Sequence, residues 1–276
     1  MVFDASPPLG RIACACMLAI LAWAGNVGRA QAALPADGGA LPSIGGGVGW
    51  AGEDLGVDTG QSTSIAVQAD GRIVTGETAE PAATPAAHVS RRLAPGALDP
   101  SFGSGGIAQV PVGGSTDVAV RDIALDSQGR IVAVGSYATG GASGSNAFVL
   151  RLLANGTPDP AFSGDGVLEV ELCAAYDDGA YAVTLLANDT ILVGGFARSG
   201  CNASSGQREA AVFQVTPSGT LDPAFGTGGV VDQLPIIDTP SIVTAIATNS
   251  TGGVVIGGQR PLGNQAFLAR LTPTGA

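Results

Sequence analysis

The sequence L-D-P-S-F-G-S-G-G-I at residues 98–107 decides the fold class, because it recurs along the chain. Residues 158–167 read P-D-P-A-F-S-G-D-G-V, and residues 221–230 read L-D-P-A-F-G-T-G-G-V. A weaker copy, L-P-S-I-G-G-G-V, begins at Leu41. Recurrence of one motif at a fixed period of about 60 residues indicates a repeat architecture.

Other landmarks keep the same spacing, so the copies do not resemble each other by chance. The motif phenylalanines are 60 and 63 residues apart, and so are the glycines that close the runs I-V-A-V-G, I-L-V-G-G and V-V-I-G-G. These two series are Phe102, Phe162 and Phe225, and Gly135, Gly195 and Gly258. The repeated units span residues 41–97, 98–157, 158–220 and 221–276.

Unit two contains four short strand signals. Residues 121–126 alternate polar and apolar side chains, residues 130–135 and 146–153 are apolar runs, and the motif leads into a fourth strand at 167–172. Four antiparallel strands in each of several repeats are typical of β-propeller blades. We therefore predict an all-β propeller. The alternatives are a β-solenoid, whose coils are shorter, and a two-sheet sandwich, which does not require such exact repetition.

The charge balance argues against two classes of partner. The chain of 276 residues has 12 basic and 23 acidic side chains, a net charge of −11, and no lysine. A surface this negative repels phosphate, so we expect no nucleic-acid partner. Anionic lipid is disfavoured for the same reason.

The N-terminus has the pattern of a signal peptide over residues 1–32. Arg11 precedes an uncharged run at residues 12–24, and Ala30-Gln31-Ala32 supplies small residues for cleavage before Ala33. The run is too short for a transmembrane helix. The rival interpretation is a buried helix of a cytosolic protein. The pattern predicts export to the periplasm or the extracellular space, with residues 33–276 forming one propeller domain.

Removal of that leader would leave two of the four cysteines in the mature chain. These two are Cys173 and Cys201. An even pair in an oxidising compartment predicts a disulfide bond between them. No C-x-x-C motif is present in the mature chain, so a zinc or thioredoxin-type site has no support.

The repeat resembles a known family. The motif L-D-P-[SA]-F-G-x-G-G, the sequence D-G-R-I-V at residues 70–74 and the strand pattern F-x-x-R-L are similar to the delta-60 repeat proteins of bacteria. The resemblance covers about residues 41–275 and implies β-propeller blades of unknown function, with no catalytic assignment. Unit one lacks the aspartate and phenylalanine of the motif, and unit three has Gln214 at the arginine position.

The charged residues that recur in the units are predicted to be structural, because a catalytic residue is needed only once. The motif aspartates stand before proline in a turn, where a carboxylate caps nearby backbone N–H groups. The strand arginines are expected to pair with them. These residues are Asp99, Asp159 and Asp222, and Arg91, Arg151 and Arg270.

The remaining candidates for chemistry are one histidine and four aspartates. His88 aligns with Phe148, which makes it a packing position rather than a base. The aspartates lie near the start of predicted first strands, where they either form a solvated rim or line a central channel and hold a cation such as calcium. They are Asp117, Asp122, Asp177 and Asp178. We predict no catalytic residue and no cofactor.

Two function classes remain. The first is a non-catalytic binding or cell-surface module that contacts a protein or glycan through its variable loops. These loops join predicted second and third strands at residues 77–87, 138–145, 197–209 and 259–265. The second is a secreted hydrolase or lyase that uses carboxylates at the channel mouth, which requires two close carboxylates in different environments.

The order of the strand signals also predicts how the ring closes. The weak first motif leads into a strand near residues 48–56, whereas the last unit lacks a fourth strand. We predict that residues 48–56 pair with the strand at 266–271 and close a four-bladed ring, because this removes an unpaired edge. The alternative is an open arc, from a fragment or from a ring that two copies complete.

Overall fold

The computed structural model describes residues 59–80, 85–94, 96–138, 144–173, 176–198, 207–232, 234, 240–260 and 265–276. All regular secondary structure in these residues is β-strand, and every strand pair is antiparallel. No helix in this part of the chain is long and apolar enough to cross a membrane. The all-β prediction is confirmed.

The strands form four successive antiparallel units, which we call blades 1 to 4. Within each blade the strands pair in chain order. Blade 1 comprises β1 (Thr59–Val67), β2 (Ile73–Glu80), β3 (Ala87–Arg92) and β4 (Ile107–Val110). Blade 2 comprises β5 (Asp117–Leu125), β6 (Ile131–Ala138), β7 (Ser145–Leu152) and β8 (Val167–Val170). Blade 3 comprises β9 (Gly179–Leu185), β10 (Ile191–Arg198), β11 (Arg208–Val215) and β12 (Val230–Val231). Blade 4 has β13 (Ile242–Thr248), β14 (Val254–Arg260) and β15 (Gln265–Leu271).

The hydrophobic core lies between consecutive blades. Each of three clusters combines side chains from two neighbouring blades, and each contains one motif phenylalanine. Phe102 and Phe162 are 0% exposed, and Phe225 is 1% exposed. The repeat therefore places its largest apolar side chain where two blades meet, since burial of apolar area is the main favourable term in folding.

The motif also binds the turn that ends the third strand of the next blade. The Gly103 N–H donates to the Asn155 carbonyl at 2.8 Å. The same bond joins Ser163 to Ser218 at 2.9 Å and Gly226 to Thr274 at 2.8 Å. We call this repeated contact the motif latch. It links blades 1 to 2, 2 to 3 and 3 to 4.

The arginine and aspartate of the repeat support the latch. Arg91 Nε donates to Asp99 Oδ2 at 2.9 Å, and Arg151 Nε donates to Asp159 Oδ2 at 2.8 Å. The second guanidinium also reaches the next blade, because Arg151 Nη1 donates to the Pro217 carbonyl at 2.5 Å. In blade 3 the side-chain amide of Gln214, rather than an arginine, donates to the motif aspartate.

Each first strand contains one β-bulge, and in blades 2 to 4 a repeat glycine stands opposite it. In blade 2, Gly135 pairs with Val120 and Val134 pairs with Asp122, so Arg121 is the extra residue. A Cβ at Gly135 would overlap the Ala119 carbonyl, and Gly195 and Gly258 meet the Gly179 and Ile242 carbonyls in the same way. The glycine series therefore leaves room for the bulge.

Two predicted strand boundaries in the second repeat were wrong. The first strand begins at Asp117 rather than at residue 121, because the residues before the bulge also pair with β6. The fourth strand ends at Val170 rather than at residue 172. The N–H groups of Leu172 and Cys173 instead donate to the Asp178 carboxylate, at 2.9 and 3.2 Å.

The predicted closure of the ring falls on residues that lie outside the described ones. Among the described residues, large apolar side chains are exposed on both the first and the last blade. Ile65 on β1 is 66% exposed, and Leu268 on β15 is 77% exposed. The four-bladed closed ring therefore stays a prediction.

Candidate functional site

The bulged residues form a series that does not follow the repeat. Each first strand contributes one unpaired residue at the same place in its ladder with the second strand. These residues are Thr63, Arg121, Tyr181 and Thr244. A bulge re-aims a side chain, and conserved bulges often serve functional sites. Because four equivalent backbone positions hold three residue types, this series can carry chemistry that the scaffold does not need.

The first strands lie side by side, so the bulged residues of neighbouring blades meet. Thr63 Oγ1 lies 2.8 Å from the Val120 carbonyl of blade 2, to which it donates. The Arg121 guanidinium lies over the Tyr181 ring of blade 3, 5.4 Å from its centroid. Each of these two side chains therefore extends toward the following blade.

The Arg121 guanidinium has no anionic partner among the described residues. Its Nε atom is shielded from solvent and makes no hydrogen bond. Among the described residues, the Tyr181 ring is the one partner that the guanidinium contacts, and both side chains are partly exposed. In a chain with 23 acidic side chains, an arginine that contacts only an aromatic ring is available for an external anion.

Further aromatic and arginine side chains extend from Tyr181 toward the loop between β10 and β11. The Tyr181 and Phe196 ring centroids are 5.9 Å apart. The Arg208 guanidinium lies 4.5 Å from the Phe196 centroid, and Arg198 lies 4.8 Å from that of Tyr176. We call these five residues, together with Arg121, the blade 3 cluster.

The blade 3 cluster combines flat rings with guanidinium groups. Aromatic faces stack on sugar or base rings and attract cations, while guanidinium groups bind carboxylates through paired N–H donors. Arg208 Nη2 already contacts Asp177 Oδ2 at 3.4 Å. Arg121 and Arg198 have no carboxylate contact among the described residues, so these two guanidinium groups are available to an anionic ligand.

The cluster lies at the base of one predicted recognition loop. Arg198 ends β10 and Arg208 begins β11, so both flank the loop predicted at residues 197–209. Residues 199–206 of this loop lie outside the described residues, as do 81–84, 139–143 and 261–264 of the other three predicted loops.

The predicted channel carboxylates take up different contacts. Asp117 is exposed at the start of β5. Asp122 links three blades, since Oδ1 accepts from the Ser64 hydroxyl and Oδ2 from the Val183 N–H, each at 2.8 Å. Asp177 accepts from the Ser145 N–H at 3.1 Å. No three metal-ligating side chains converge within the described residues.

Asp178 is the most unusual of these carboxyl groups, because it is fully buried. Burial raises its pKa to about 7, although backbone N–H donors from Ala147, Leu172 and Cys173 act in the opposite direction. By accepting these bonds, Asp178 connects β7 to the residues that follow β8. Asp178 therefore fastens strand ends within blade 2 and does not face a substrate.

His88 is buried on β3 opposite Glu77 of β2. Burial lowers the pKa of His88, so the imidazole is neutral near pH 7. Its ladder position matches that of Phe148, which pairs with Gly135 in blade 2. The histidine thus occupies a packing position of the repeat.

Cys173 is part of a disulfide bond. Its sulfur lies 3.5 Å from the carbonyl oxygen of Arg198, the last residue of β10. Cys201 lies outside the described residues, so the predicted pairing with Cys173 stays a prediction. The sulfur is, however, next to the point where the chain leaves β10 toward Cys201.

Arg121 and Tyr181 are not among the residues predicted from the sequence. Their only sequence signal is a common position, since the bulged residues are 58, 60 and 63 residues apart along the chain. A search for repeated residue types passes over them, because the residue type changes while the position is kept.

A family model matches two segments of the chain. The model is a domain of unknown function (DUF5122) beta-propeller, and it matches residues 127–162 and 186–225. Each segment runs from near the first hairpin turn of a blade to the motif phenylalanine, which is Phe162 or Phe225. No curated protein matches the chain at a significant level.

Several solved structures are similar at low identity. A xylan β-1,4-xylosidase from Bacillus halodurans C-125 is 13% identical, with a TM-score of 0.35, over 76% of this chain and 41% of its own. This chain therefore spans less than half the length of that enzyme. A Penicillium chrysogenum α-L-arabinanase complexed with arabinobiose is 11% identical, with a TM-score of 0.29, over 76% of this chain and 92% of its own. An α-L-arabinofuranosidase from Fusarium graminearum is 11% identical, with a TM-score of 0.32, over 73% and 72% of the two chains.

Proposed function

We propose that the protein is an exported β-propeller repeat protein of the delta-60 type that binds a glycan at the blade 3 cluster and does not catalyse a reaction. The observation that carries this proposal is the Arg121 guanidinium, which lies over the Tyr181 ring with no carboxylate partner among the described residues. A sugar ring that bears a carboxylate fits this pair, because the ring stacks on tyrosine while the carboxylate binds arginine.

The arrangement of the carboxylates supports binding rather than hydrolysis. General acid–base hydrolysis of a glycoside needs two carboxyl groups that flank one bond. Asp122 and Asp178 instead accept backbone N–H groups, and Asp177 accepts a backbone N–H and contacts Arg208. The chain has a single histidine, and it is buried in blade 1.

The proposal is tested by titrating the chain with uronic-acid oligosaccharides and with neutral oligosaccharides of the same length. Arg121→Gln and Tyr181→Ala are each expected to weaken uronate binding roughly tenfold or more, since a hydrogen bond to a charged group contributes about 1.5–3 kcal/mol. Thr244→Ala is the matched control, because it changes the bulged residue of blade 4. Equal affinity of the wild type and the three variants for the uronic-acid oligosaccharides would exclude binding at this site.

A hydrolase assay with the same sugars separates binding from catalysis. We expect the oligosaccharides to be recovered intact after long incubation with the chain. Release of shorter products, abolished by replacing Asp117 or Asp177, would instead support the hydrolase alternative.

We also propose that the segment before β1 supplies the fourth strand of blade 4. Blades 1 to 3 each have a fourth strand beside the third, whereas no strand among the described residues pairs with the outer side of β15. Deleting residues 33–56 is expected to destabilise the chain and to cause self-association through the bare edge. Unchanged stability would exclude this pairing.

Export is proposed on the basis of the N-terminal sequence. Protein isolated from its native source is expected to begin at or near Ala33 and to be found outside the cytoplasm. Intact Met1 on a cytosolic protein would overturn this part of the proposal.

A further inference from the structure

Two arginines stand directly opposite each other where β10 ends and β11 begins. Arg198 is the last residue of β10, Arg208 is the first residue of β11, and the two are partners in the antiparallel ladder. Partners of this kind extend their side chains from the same face of a sheet, with Cβ atoms about 4.5–5.5 Å apart. Like charges in these positions repel each other, so the arrangement is unfavourable unless an anion lies nearby.

The repeat does not require an arginine at either position. Arg198 follows Gly195 by three residues, as Ala138 follows Gly135 in blade 2. Ala138 pairs with Ser145, so the equivalent ladder of blade 2 ends in two uncharged side chains. The scaffold therefore forms this ladder without charge, and the arginine pair is a feature of blade 3.

One carboxylate lies beside the pair and contacts only one of the two arginines. Asp177 Oδ2 is 3.4 Å from Arg208 Nη2, and these side chains are 40% and 47% exposed, respectively. Among the described residues Arg198 contacts no carboxylate, and its Nε atom is shielded from solvent without a hydrogen bond. Glu209 adjoins Arg208 in sequence and therefore extends from the opposite face of the strand.

The loop between the two arginines contributes no acidic side chain. Residues 199–206 read S-G-C-N-A-S-S-G, and residue 207 is glutamine. Arg198, Arg208 and Asp177 together carry one net positive charge, in a chain whose net charge is −11. This part of the surface is therefore expected to attract an anion from solution.

Two aromatic rings connect the arginine pair to Arg121. The Arg208 guanidinium lies 4.5 Å from the centroid of the Phe196 ring, which is 5.9 Å from the centroid of Tyr181. The Tyr181 ring also contacts the Arg121 guanidinium, at 5.4 Å. Two places that attract anions therefore lie in one cluster, separated by rings.

We propose that Arg198 and Arg208 bind a second carboxylate of the glycan that Arg121 and Tyr181 bind, so that the ligand is a linear polyuronate. This inference rests on the proposed function for its first contact. A chain of uronic acids carries one carboxylate on each sugar, so a single ligand can reach both places. A carboxylate is favoured over other anions because Asp177 already places one against Arg208.

Calorimetric titration with a uronate disaccharide and a uronate hexasaccharide measures the second contact. The wild type is expected to bind the hexasaccharide at least tenfold more tightly, since the second carboxylate then binds within an already bound ligand. Arg198→Gln and Arg208→Gln should each remove most of this gain and leave the disaccharide affinity unchanged. Arg260→Gln is the matched control, because it removes one positive charge from the end of β14 in blade 4.

Asp177→Asn is expected to have the opposite effect. Asparagine keeps an oxygen that accepts from the Ser145 N–H, at 3.1 Å in the wild type, but removes the charge that competes for Arg208. We expect this variant to bind the hexasaccharide roughly threefold more tightly, because a like charge beside the incoming carboxylate is lost. Weaker binding would show that Asp177 is part of the site rather than a competitor, and would overturn the proposal.

A small anion distinguishes failure of this proposal from failure of the proposed function. Inorganic sulfate, compared with chloride at equal ionic strength, should shift the Nε–H signals of Arg198 and Arg208 together in NMR spectra. The shift should persist in Arg121→Gln, where the first contact with the glycan is lost. If the signals of both arginines stay unchanged, the pair binds no anion and the proposal is wrong, whatever the oligosaccharides show.

Two further results would overturn the proposal although sulfate binds. Equal affinity for the disaccharide and the hexasaccharide would mean that the pair binds an anion outside the glycan site. An oligoglutamate that binds as tightly as the hexasaccharide would identify an acidic peptide as the partner, since a peptide of this kind has no sugar ring to stack on Tyr181.

Discussion

Arg151 of blade 2 and Arg270 of blade 4 occupy the same strand position, yet their surroundings differ completely. Arg151 is 2% exposed, binds the Asp159 carboxylate and lies 4.7 Å from the Phe162 ring centroid. Arg270 is exposed and has no such contact among the described residues. The comparison shows that a repeat residue obtains its role from the motif and the blade that follow it. Blades 2 and 4 therefore use the same repeat residue differently.

The largest expected difference between these blades is the effect of removing the arginine. Arg151→Ala removes the closest cationic donor of the buried Asp159 carboxylate and the side-chain donor of the Pro217 carbonyl, so we expect a loss of about 3–5 kcal/mol in the free energy of unfolding. Arg270→Ala should change it by less than about 0.5 kcal/mol. Denaturant unfolding of both variants beside the wild type makes the comparison. Equal losses in the free energy of unfolding would show that the role of this arginine does not depend on the next blade.

A second difference lies in the groups that hold the start of the third strand. Asp178 accepts from the Ala147 N–H at 2.8 Å in blade 2, and the Ser241 hydroxyl accepts from the Ala210 N–H at 2.9 Å in blade 3. Burial raises the pKa of Asp178 to about 7, above its unfolded value of about 3.9. Its contribution to stability is therefore fully present below about pH 4 and is lost as the pH rises toward 7.

Urea unfolding of wild type and Asp178→Asn between pH 4 and pH 8 measures this contribution. We expect the wild type to lose up to about 4 kcal/mol relative to the variant over that range. Asn at this position cannot ionise, so the variant should lack this part of the pH dependence. Parallel curves for the two proteins would mean that the buried carboxyl does not titrate in this window.

The smallest expected difference concerns two turn glycines with similar backbone angles. Gly219 has φ +85° and lies against Ser163 N and the Phe162 ring of the preceding blade. Gly129 has φ +75° and has nothing within 4 Å of its Cβ position. We expect Gly129→Ala to cost roughly 1 kcal/mol from the left-handed backbone alone, and Gly219→Ala roughly 2–4 kcal/mol because the methyl group also displaces the neighbouring blade. Thermal unfolding of both variants distinguishes the cost of the left-handed backbone from the cost of displacing the neighbouring blade.

The repeat spacing predicted the all-β fold and several residues of the interior. The repeat predicts Phe102, Phe162 and Phe225, because each blade interface buries the same residue type at the same repeat position. Gly135 could be identified in the same way, although its reason, the carbonyl of Ala119 opposite the bulge, appears only in the structure.

The candidate site could not be predicted from the sequence, because a bulge depends on how two strands pair. Arg121 is distinguished only by the pairing of Val120 and Asp122 with consecutive residues of β6. Asp122 was considered for a channel cation, but both its oxygens accept hydrogen bonds from neighbouring blades. Its role is set by β1 and β9, which are about 60 residues away in sequence.

The most direct test of the account is native-state hydrogen exchange at the amides of Gly103, Ser163 and Gly226. These amides lie in surface turns, but each donates to a backbone carbonyl of the next blade at 2.8–2.9 Å. If each blade is fastened to the next by the motif latch, all three should be protected as strongly as the strand amides beside them, while the amide of exposed Gly105 exchanges freely. Exchange of all three at the rate of Gly105 would contradict the latch and the role assigned to the repeat motif.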